Sequence, residues 1–239
     1  MLNDYNQIGK EHHRSHSKPD KQFSMLPTIL KLAQPLKDKT IIDVGCGDGF
    51  FTGYFSKSAK MVYGIDNSLG QIQEAKKIKK PNLKFIFGDM LTIDYPKADL
   101  INVPYVLGYL RTENELITLF AKFHNCLYTN GKVLGLIDSP QQTVHNNQKF
   151  GSIKRIKSCC LKEGVKINIE LYDKNEKMVT LHAYYHTKEM IEKALNKAGF
   201  SKVEWPKPII SKEGIKKYGQ QFWNEYLNNC DVAYFTAVK

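Results

Sequence analysis

Residues 40–50 read Thr40-Ile41-Ile42-Asp43-Val44-Gly45-Cys46-Gly47-Asp48-Gly49-Phe50, a short apolar run halted by three alternating glycines. A run of this length that stops at glycine fits a strand buried on both faces of a parallel sheet. The turn after it opens a helix, so backbone amides and bare Cα positions face whatever binds there.

Two details narrow the ligand. A dinucleotide fingerprint G-x-G-x-x-G started at Gly45 needs its third glycine at position 50; that residue is Phe50, and the glycine comes one place early, at Gly49. Asp43, two residues before the first glycine, sets a negative charge beside the turn. A pyrophosphate is repelled there, whereas an amino group and a sulfonium cation are tolerated.

Downstream of this turn the apolar pattern repeats. Met61 to Ile65 reads as a second strand, followed by a helix from about Leu69 to Lys79 closed by Pro81. Leu83 to Phe87 is the third strand and Ala98 to Val103 the fourth. Thr112-Glu113-Asn114-Glu115 has capping-box spacing and opens a helix to about Leu127; Asn130-Gly131 is a turn signal before a fifth strand, Lys132 to Asp138. Strands alternating with helices predict a doubly wound α/β fold with a mostly parallel, seven-stranded sheet. Upstream, Pro27 stands where a helix begins, before Ile29, Leu30, Leu32 and Ala33.

The last hundred residues differ. Residues 139–163 are polar and carry no clear pattern. Lys166 to Tyr172 and Met178 to His186 alternate around the polar turn Asp173-Lys174-Asn175-Glu176-Lys177, predicting a small β-hairpin inserted before the last antiparallel strands. Thr187 caps a helix ending near Gly199, Ser201 to Trp205 is a strand, Glu213 to Asn228 is one helix, and Asp231 to Val238 is the final strand. The expected layout is one domain over residues 1–239. It comprises an N-terminal helical lid region (1–39), a cofactor-binding core (40–138), a hairpin covering region (139–186) and the C-terminal part of the sheet (187–239).

Carboxylates recur where ligands collect in such sheets, at the carboxyl ends of strands. Asp66 ends the second strand, about twenty residues beyond Asp43, where a carboxylate can accept two ribose hydroxyls. Asp89 follows the third strand, placed to accept from an adenine amine while Met90 packs on the ring.

With these residues in place, the chain resembles the class I S-adenosylmethionine-dependent methyltransferases over about residues 40–138. Asp43 to Gly49 resembles the family's first motif, Gly64-Ile65-Asp66-Asn67-Ser68 its ribose-binding stretch and Gly88-Asp89-Met90 its adenine-binding stretch. Asp99 to Leu110 resembles the fourth motif, and Leu127 to Lys132 the turn before the fifth strand. The resemblance implies S-adenosylmethionine as cofactor, S-adenosylhomocysteine as product and a Rossmann-like fold. The implied cofactor residues are Asp43, Gly45, Cys46, Gly47, Asp66, Asn67, Gln71, Asp89, Met90 and Asn102. The match is closest to the small-molecule branch, with two departures: Gly108 replaces that branch's histidine, and Gln71 stands where an apolar residue packs on the adenine.

Methyl transfer from a sulfonium is an in-line displacement, so alignment and exclusion of water matter most; alignment can contribute roughly 7–11 kcal/mol. Asn102-Val103-Pro104-Tyr105 differs by one residue from the Asn-Pro-Pro-Tyr of enzymes that methylate amines of adenine or glutamine. It keeps open an RNA or protein amine methyltransferase, beside the small-molecule acceptor and a binding module without turnover. Tyr105 is a candidate catalytic residue. So are His182 and His186, which period-two alternation puts on one face with Tyr184, opposite apolar Val179, Leu181, Ala183 and Tyr185. If that polar face covers the cleft, either histidine can take the nucleophile's proton; otherwise both are surface histidines. His12, His13, Arg14 and His16 can fold over the cofactor's carboxylate as a lid, or start a disordered basic segment.

Composition bounds the rest. The formal charge of +11 comes from lysines spread along the chain, which reads as a solvated surface more than a nucleic-acid footprint. Five cysteines without paired spacing predict free thiols and no metal centre. The N-terminus has no apolar run resembling a signal peptide, and no stretch approaches the roughly 20 apolar residues of a membrane span. A cytoplasmic enzyme is expected; oligomeric state is left open.

Overall fold

The computed structural model describes residues 2–173 and 176–239. From the N-terminus, α1 (Tyr5–Arg14) and α2 (Leu26–Leu32) flank a π-helical stretch, Lys21–Met25. Then come β1 (Thr40–Val44), α3 (Phe50–Phe55), β2 (Met61–Asp66), α4 (Leu69–Ala75), β3 (Leu83–Phe87) and β4 (Ala98–Pro104). They are followed by α5 (Glu113–Cys126), β5 (Leu127–Asp138), β6 (Val144–Asn147), β7 (Ser152–Ile156), β8 (Lys166–Asp173) and β9 (Glu176–Tyr184). The chain closes with α6 (Lys188–Lys197), β10 (Ser201–Glu204), α7 (Lys212–Tyr218), α8 (Gln220–Asn228) and β11 (Val232–Val238).

Seven strands form one sheet in the order β10-β11-β5-β4-β1-β2-β3. β1 to β5 pair in parallel, and β11 runs antiparallel to both β5 and β10. The last two strands, β10 and β11, form the expected antiparallel pair, with β11 the strand that runs against the rest. Successive side chains leave a strand on opposite faces. Here both faces are buried: Ile42, Ile101 and Val133 pack with α5 and α6, while Ile41, Leu100 and Leu134 pack with α2 and α3. Burial on both faces is what makes these strands read as unbroken apolar runs.

Local signals set several boundaries. Thr112 and Glu115 form the expected reciprocal capping box at the start of α5, and Thr187 caps α6. α4 stops at Ala75, short of Lys79, because Lys77 and Ile78 turn back to carbonyls three residues away and tighten the last turn. The helix expected over 213–228 breaks at Gly219, whose φ of 83° and ψ of 157° suit glycine alone.

The expected hairpin is half of a larger unit. β6 and β7, from the stretch without a sequence pattern, join β8 and β9 in a four-stranded antiparallel sheet. A lone hairpin is marginal in water; three or more strands with an apolar face are stable. That face carries Ile156, Ile167, Ile169, Leu171, Leu181 and Ala183. Of the hairpin turn, Lys174 and Asn175 lie outside the described residues.

Candidate active site

The glycine turn is built by left-handed backbone at Gly45 (φ 66°), Gly47 (φ 55°) and Gly49 (φ 88°). A Cβ on Gly45 would come within 2.3 Å of Val106 Cγ2, so this position tolerates no side chain. The amide of Cys46 donates to the carbonyl of Ile65 (3.0 Å) and that of Gly47 to Asp66 Oδ2 (2.8 Å), which pins the turn to the end of β2. Asp66 Oδ1 also accepts from the Ser68 amide (2.8 Å). Each oxygen keeps a second lone pair for a ligand.

This turn floors a cavity of about 310 Å³ at the carboxyl ends of β1, β2 and β4. Of the residues expected to hold a cofactor, Gly45, Cys46, Gly47, Asp66, Asn67, Gln71, Asp89 and Met90 line it, as does Tyr105. Gln71 is buried, and its Oε1 has no partner among the described residues. An orphaned buried acceptor, a side-chain-free turn and an inward carboxylate fit the adenosyl and methionyl parts of S-adenosylmethionine.

Four expected residues lie elsewhere. Asp43 is fully buried beneath the turn, where Oδ2 accepts from Thr52 Oγ1 (2.6 Å) and Oδ1 from Asn102 Nδ2 (2.7 Å). Burial pushes its carboxyl up to about 6, against the hydrogen bonds from Thr52 and Asn102. Neither Asp43 nor Asn102 borders the cavity; both brace the strands behind it.

His182 and His186 are misplaced for a simpler reason. The face of β9 turned toward the site is the apolar one, Leu181 and Ala183, because it completes the core of the small sheet. His182 pairs instead with Asn168 (2.9 Å). β9 ends at Tyr184, so the alternation does not reach His186, which is buried against Glu163 and donates Nε2–H to the Leu110 carbonyl (2.9 Å).

The N-terminal segment packs against the glycine turn and the start of α4. Asn6 Oδ1 accepts from Ser68 Oγ and from the Gly70 amide, both 2.9 Å away, and so docks α1 on the start of α4. His13 and His16 both meet Asp48 in the glycine turn, and His16 stacks on Phe50 with centroids 4.4 Å apart. Burial raises the Asp48 carboxyl, yet the two histidines outweigh it and hold it below the usual carboxylate range. Burial and Lys21 lower His16 to about 4, so a neutral imidazole donates Nε2–H to an ionised carboxylate. Burial likewise lowers His12, which borders the cavity, to about 3. The donor atoms of His13, His16 and Asp48 lie within 4.8 Å of one another. They are spread over two segments whose meeting no local spacing announces.

Lys21 is the other residue sequence reasoning missed. It is 9% exposed, lines the cavity, and has no carboxylate within ion-pair distance among the described residues; burial lowers its ammonium to about 8. Its Nζ lies over the Phe50 ring, 5.0 Å from the centroid.

A second cavity, of about 90 Å³, adjoins the first, sharing Tyr5, His12, Lys21, Tyr105 and Tyr109. Ile169, Leu171, Leu181 and Ala183 wall one side. Across from them Lys154 Nζ donates to Asp138 Oδ1 (2.7 Å), Asp231 Oδ2 (3.1 Å) and the Asp231 carbonyl (2.6 Å). Burial would lower this ammonium, but the two carboxylates hold it above the ordinary lysine value.

Comparison with known proteins agrees with this geometry. A family described as a methyltransferase domain matches residues 35–220. A ribosomal RNA small subunit methyltransferase A from Mesomycoplasma hyopneumoniae is 39% identical over 90 residues, covering 37% of this chain and 34% of that protein. O-methyltransferase 12 of Dictyostelium discoideum is 29% identical over 110 residues, 44% of this chain and 29% of that one. The chain thus spans about a third of the length of the curated relatives it matches. An S-adenosylmethionine-dependent methyltransferase from Clostridium acetobutylicum shares the fold with a TM-score of 0.65 at 16% identity, covering 99% of each chain. Among the described residues no helix is long and apolar enough to cross a membrane.

Proposed function

The chain belongs to the class I S-adenosylmethionine-dependent methyltransferases, and on that basis we propose that it methylates a small-molecule acceptor by in-line displacement. The observation that carries this reading is the pair of adjoining cavities, one of about 310 Å³ on the glycine turn and one of about 90 Å³ bordered by the N-terminal segment and the small sheet.

The bound cofactor supplies a methyl group on a sulfonium, poised for a nucleophile. The chain's own residues do the rest. Asp66 accepts the ribose hydroxyls with the lone pairs its backbone contacts leave free. Asp89 and Met90 frame the adenine. Lys21, a buried cation without a carboxylate, faces the cofactor's own carboxylate, with neutral His12 beside it in the cavity lining. Tyr105 stands where the cavities meet, its backbone held at φ 61° by an amide hydrogen bond to the Leu136 carbonyl (2.7 Å). A non-glycine residue in that region costs about 1–3 kcal/mol and tends to mark functional sites. Burial pushes its phenol well above the usual value, so it positions the acceptor as a neutral ring.

The RNA-amine reading rests on Asn102 to Tyr105 and on the ribosomal RNA relative. Against it, Asn102 is fully buried behind the cavity with its Nδ2 donating to Asp43, and the second cavity is lined on one side by apolar Ile169, Leu171 and Leu181. Titrating S-adenosylhomocysteine by calorimetry and screening methyl transfer to small molecules and to RNA tests the proposal. Transfer to RNA with a steep salt dependence, and none to small acceptors, would replace it. Cofactor binding without any turnover would favour the non-enzymatic module.

A further inference from the structure

We propose that the second cavity seats the cationic nitrogen of an amine-bearing acceptor; this rests on the methyltransferase reading and names its substrate class. The argument is one of unspent hydrogen-bonding capacity. Lys154 has three donors and all are used, on Asp138 and twice on Asp231. It offers nothing to an incoming anion. The unspent capacity is on the acceptor side. Asp20 is 4% exposed and lines this cavity; Oδ1 accepts from the Lys21 amide (2.8 Å), and Oδ2 accepts no hydrogen bond among the described residues. Its nearest cation is Lys18 Nζ, 3.7 Å away and partly engaged with the Gly151 carbonyl (3.3 Å). A deeply set carboxylate oxygen whose cation lies 3.7 Å away has capacity for a closer donor. Burial pushes the Asp20 carboxyl up, in keeping with an anion short of compensation.

Charge and shape agree. Three carboxylates, Asp20, Asp138 and Asp231, border the cavity with three lysines, Lys18, Lys21 and Lys154. With Lys21 assigned to the cofactor's carboxylate, two lysines remain against the three carboxylates. The balance left for the acceptor is negative. Tyr5, Tyr105 and Tyr109 surround the mouth, and aromatic rings attract cations. The wall of Ile169, Leu171, Leu181 and Ala183 suits a hydrocarbon stem, and about 90 Å³ limits it to a few carbons beside the cofactor.

The test is a matched titration of the whole chain saturated with S-adenosylhomocysteine, using n-butylamine, n-butanol and butanoate, followed by ligand-observed NMR and calorimetry. The amine should bind at least about tenfold tighter than the alcohol or the acid. Asp20→Asn keeps the acceptor that caps the Lys21 amide, and should erase most of that preference while leaving S-adenosylhomocysteine affinity within about twofold. An amine that does not saturate the loaded protein at millimolar concentration, or binds no better than the acid, overturns the inference; so does a preference that survives in Asp20→Asn. Failure to bind S-adenosylhomocysteine overturns the cofactor reading beneath it, and is distinguished because that affinity is measured first.

Discussion

Asn102 on β4 and Asp43 on β1 are direct partners across the parallel pairing, with Asn102 Nδ2 2.7 Å from Asp43 Oδ1. The contact ties the two strands whose ends carry the glycine turn and Tyr105. Thr52 on α3 holds the other oxygen at 2.6 Å, so one buried carboxylate clamps the strand before the turn to the helix after it. Asp43→Ala leaves two buried donors unmatched and should lower stability by roughly 2–4 kcal/mol, read as a reduced urea midpoint. Asp43→Asn, which keeps one acceptor, should lose less than half as much. Equal losses for both variants would mean that the clamp is not electrostatic.

Asp66 carries the cofactor prediction. Asp66→Ala should weaken S-adenosylhomocysteine by about tenfold or more in calorimetry, from lost charge-assisted hydrogen bonds to the ribose and a loosened Gly47 amide. Unchanged affinity would remove the ribose assignment.

These residues show what was readable from sequence and what was not. The strand ends and the glycine turn were legible because periodicity and backbone freedom are local properties. Asp43 was misassigned because its position along the strand places it at the turn but does not say whether it faces a ligand or a neighbouring strand; Asn102, 59 residues away, decides that. His182 and His186 were misread because period-two alternation separates two faces without saying which is covered. The packing of Leu181 and Ala183 chose the opposite face. β6 and β7 had no pattern to read, as they are short and their pairing partners lie downstream. The Asp48 latch and the Asp20 seat join the N-terminal segment to distant strands, beyond the reach of any spacing rule.

The latch should respond to acid. His12 and His16 have folded values near 3 and 4, below the ordinary 6.5, so the released segment binds more protons between about pH 4 and 6.5. Stability from their docking is complete above 6.5 and is lost as pH falls through that window, by up to about 1.4 kcal/mol per pH unit for each histidine. Asp43 opposes this: with a folded value near 6 it stabilises the fold as pH falls from 6 toward 4. A global melt therefore blurs the effect. Hydrogen exchange over residues 5–17 isolates it, and protection corrected for intrinsic rate should drop between pH 7 and 5 in the wild type. The drop should shrink in His16→Gln; identical profiles would show that the imidazole does not hold the segment down.

Tyr105 separates a positioning role from an acid–base one. Its hydroxyl donates to Met25 Sδ at 3.4 Å, a weak contact away from the glycine turn, and its phenol is held protonated by burial. Tyr105→Phe keeps the ring and the left-handed backbone, so S-adenosylhomocysteine affinity and methyl transfer to a small-molecule acceptor found in the screen should both stay within about threefold. Tyr105→Ala removes the ring between the cavities and should cut transfer at least about tenfold through lost alignment, with cofactor affinity nearly unchanged. If Tyr105→Phe were as inactive as Tyr105→Ala, the hydroxyl would have to exchange a proton with the acceptor, and the ring would no longer suffice as the explanation of its place in the site.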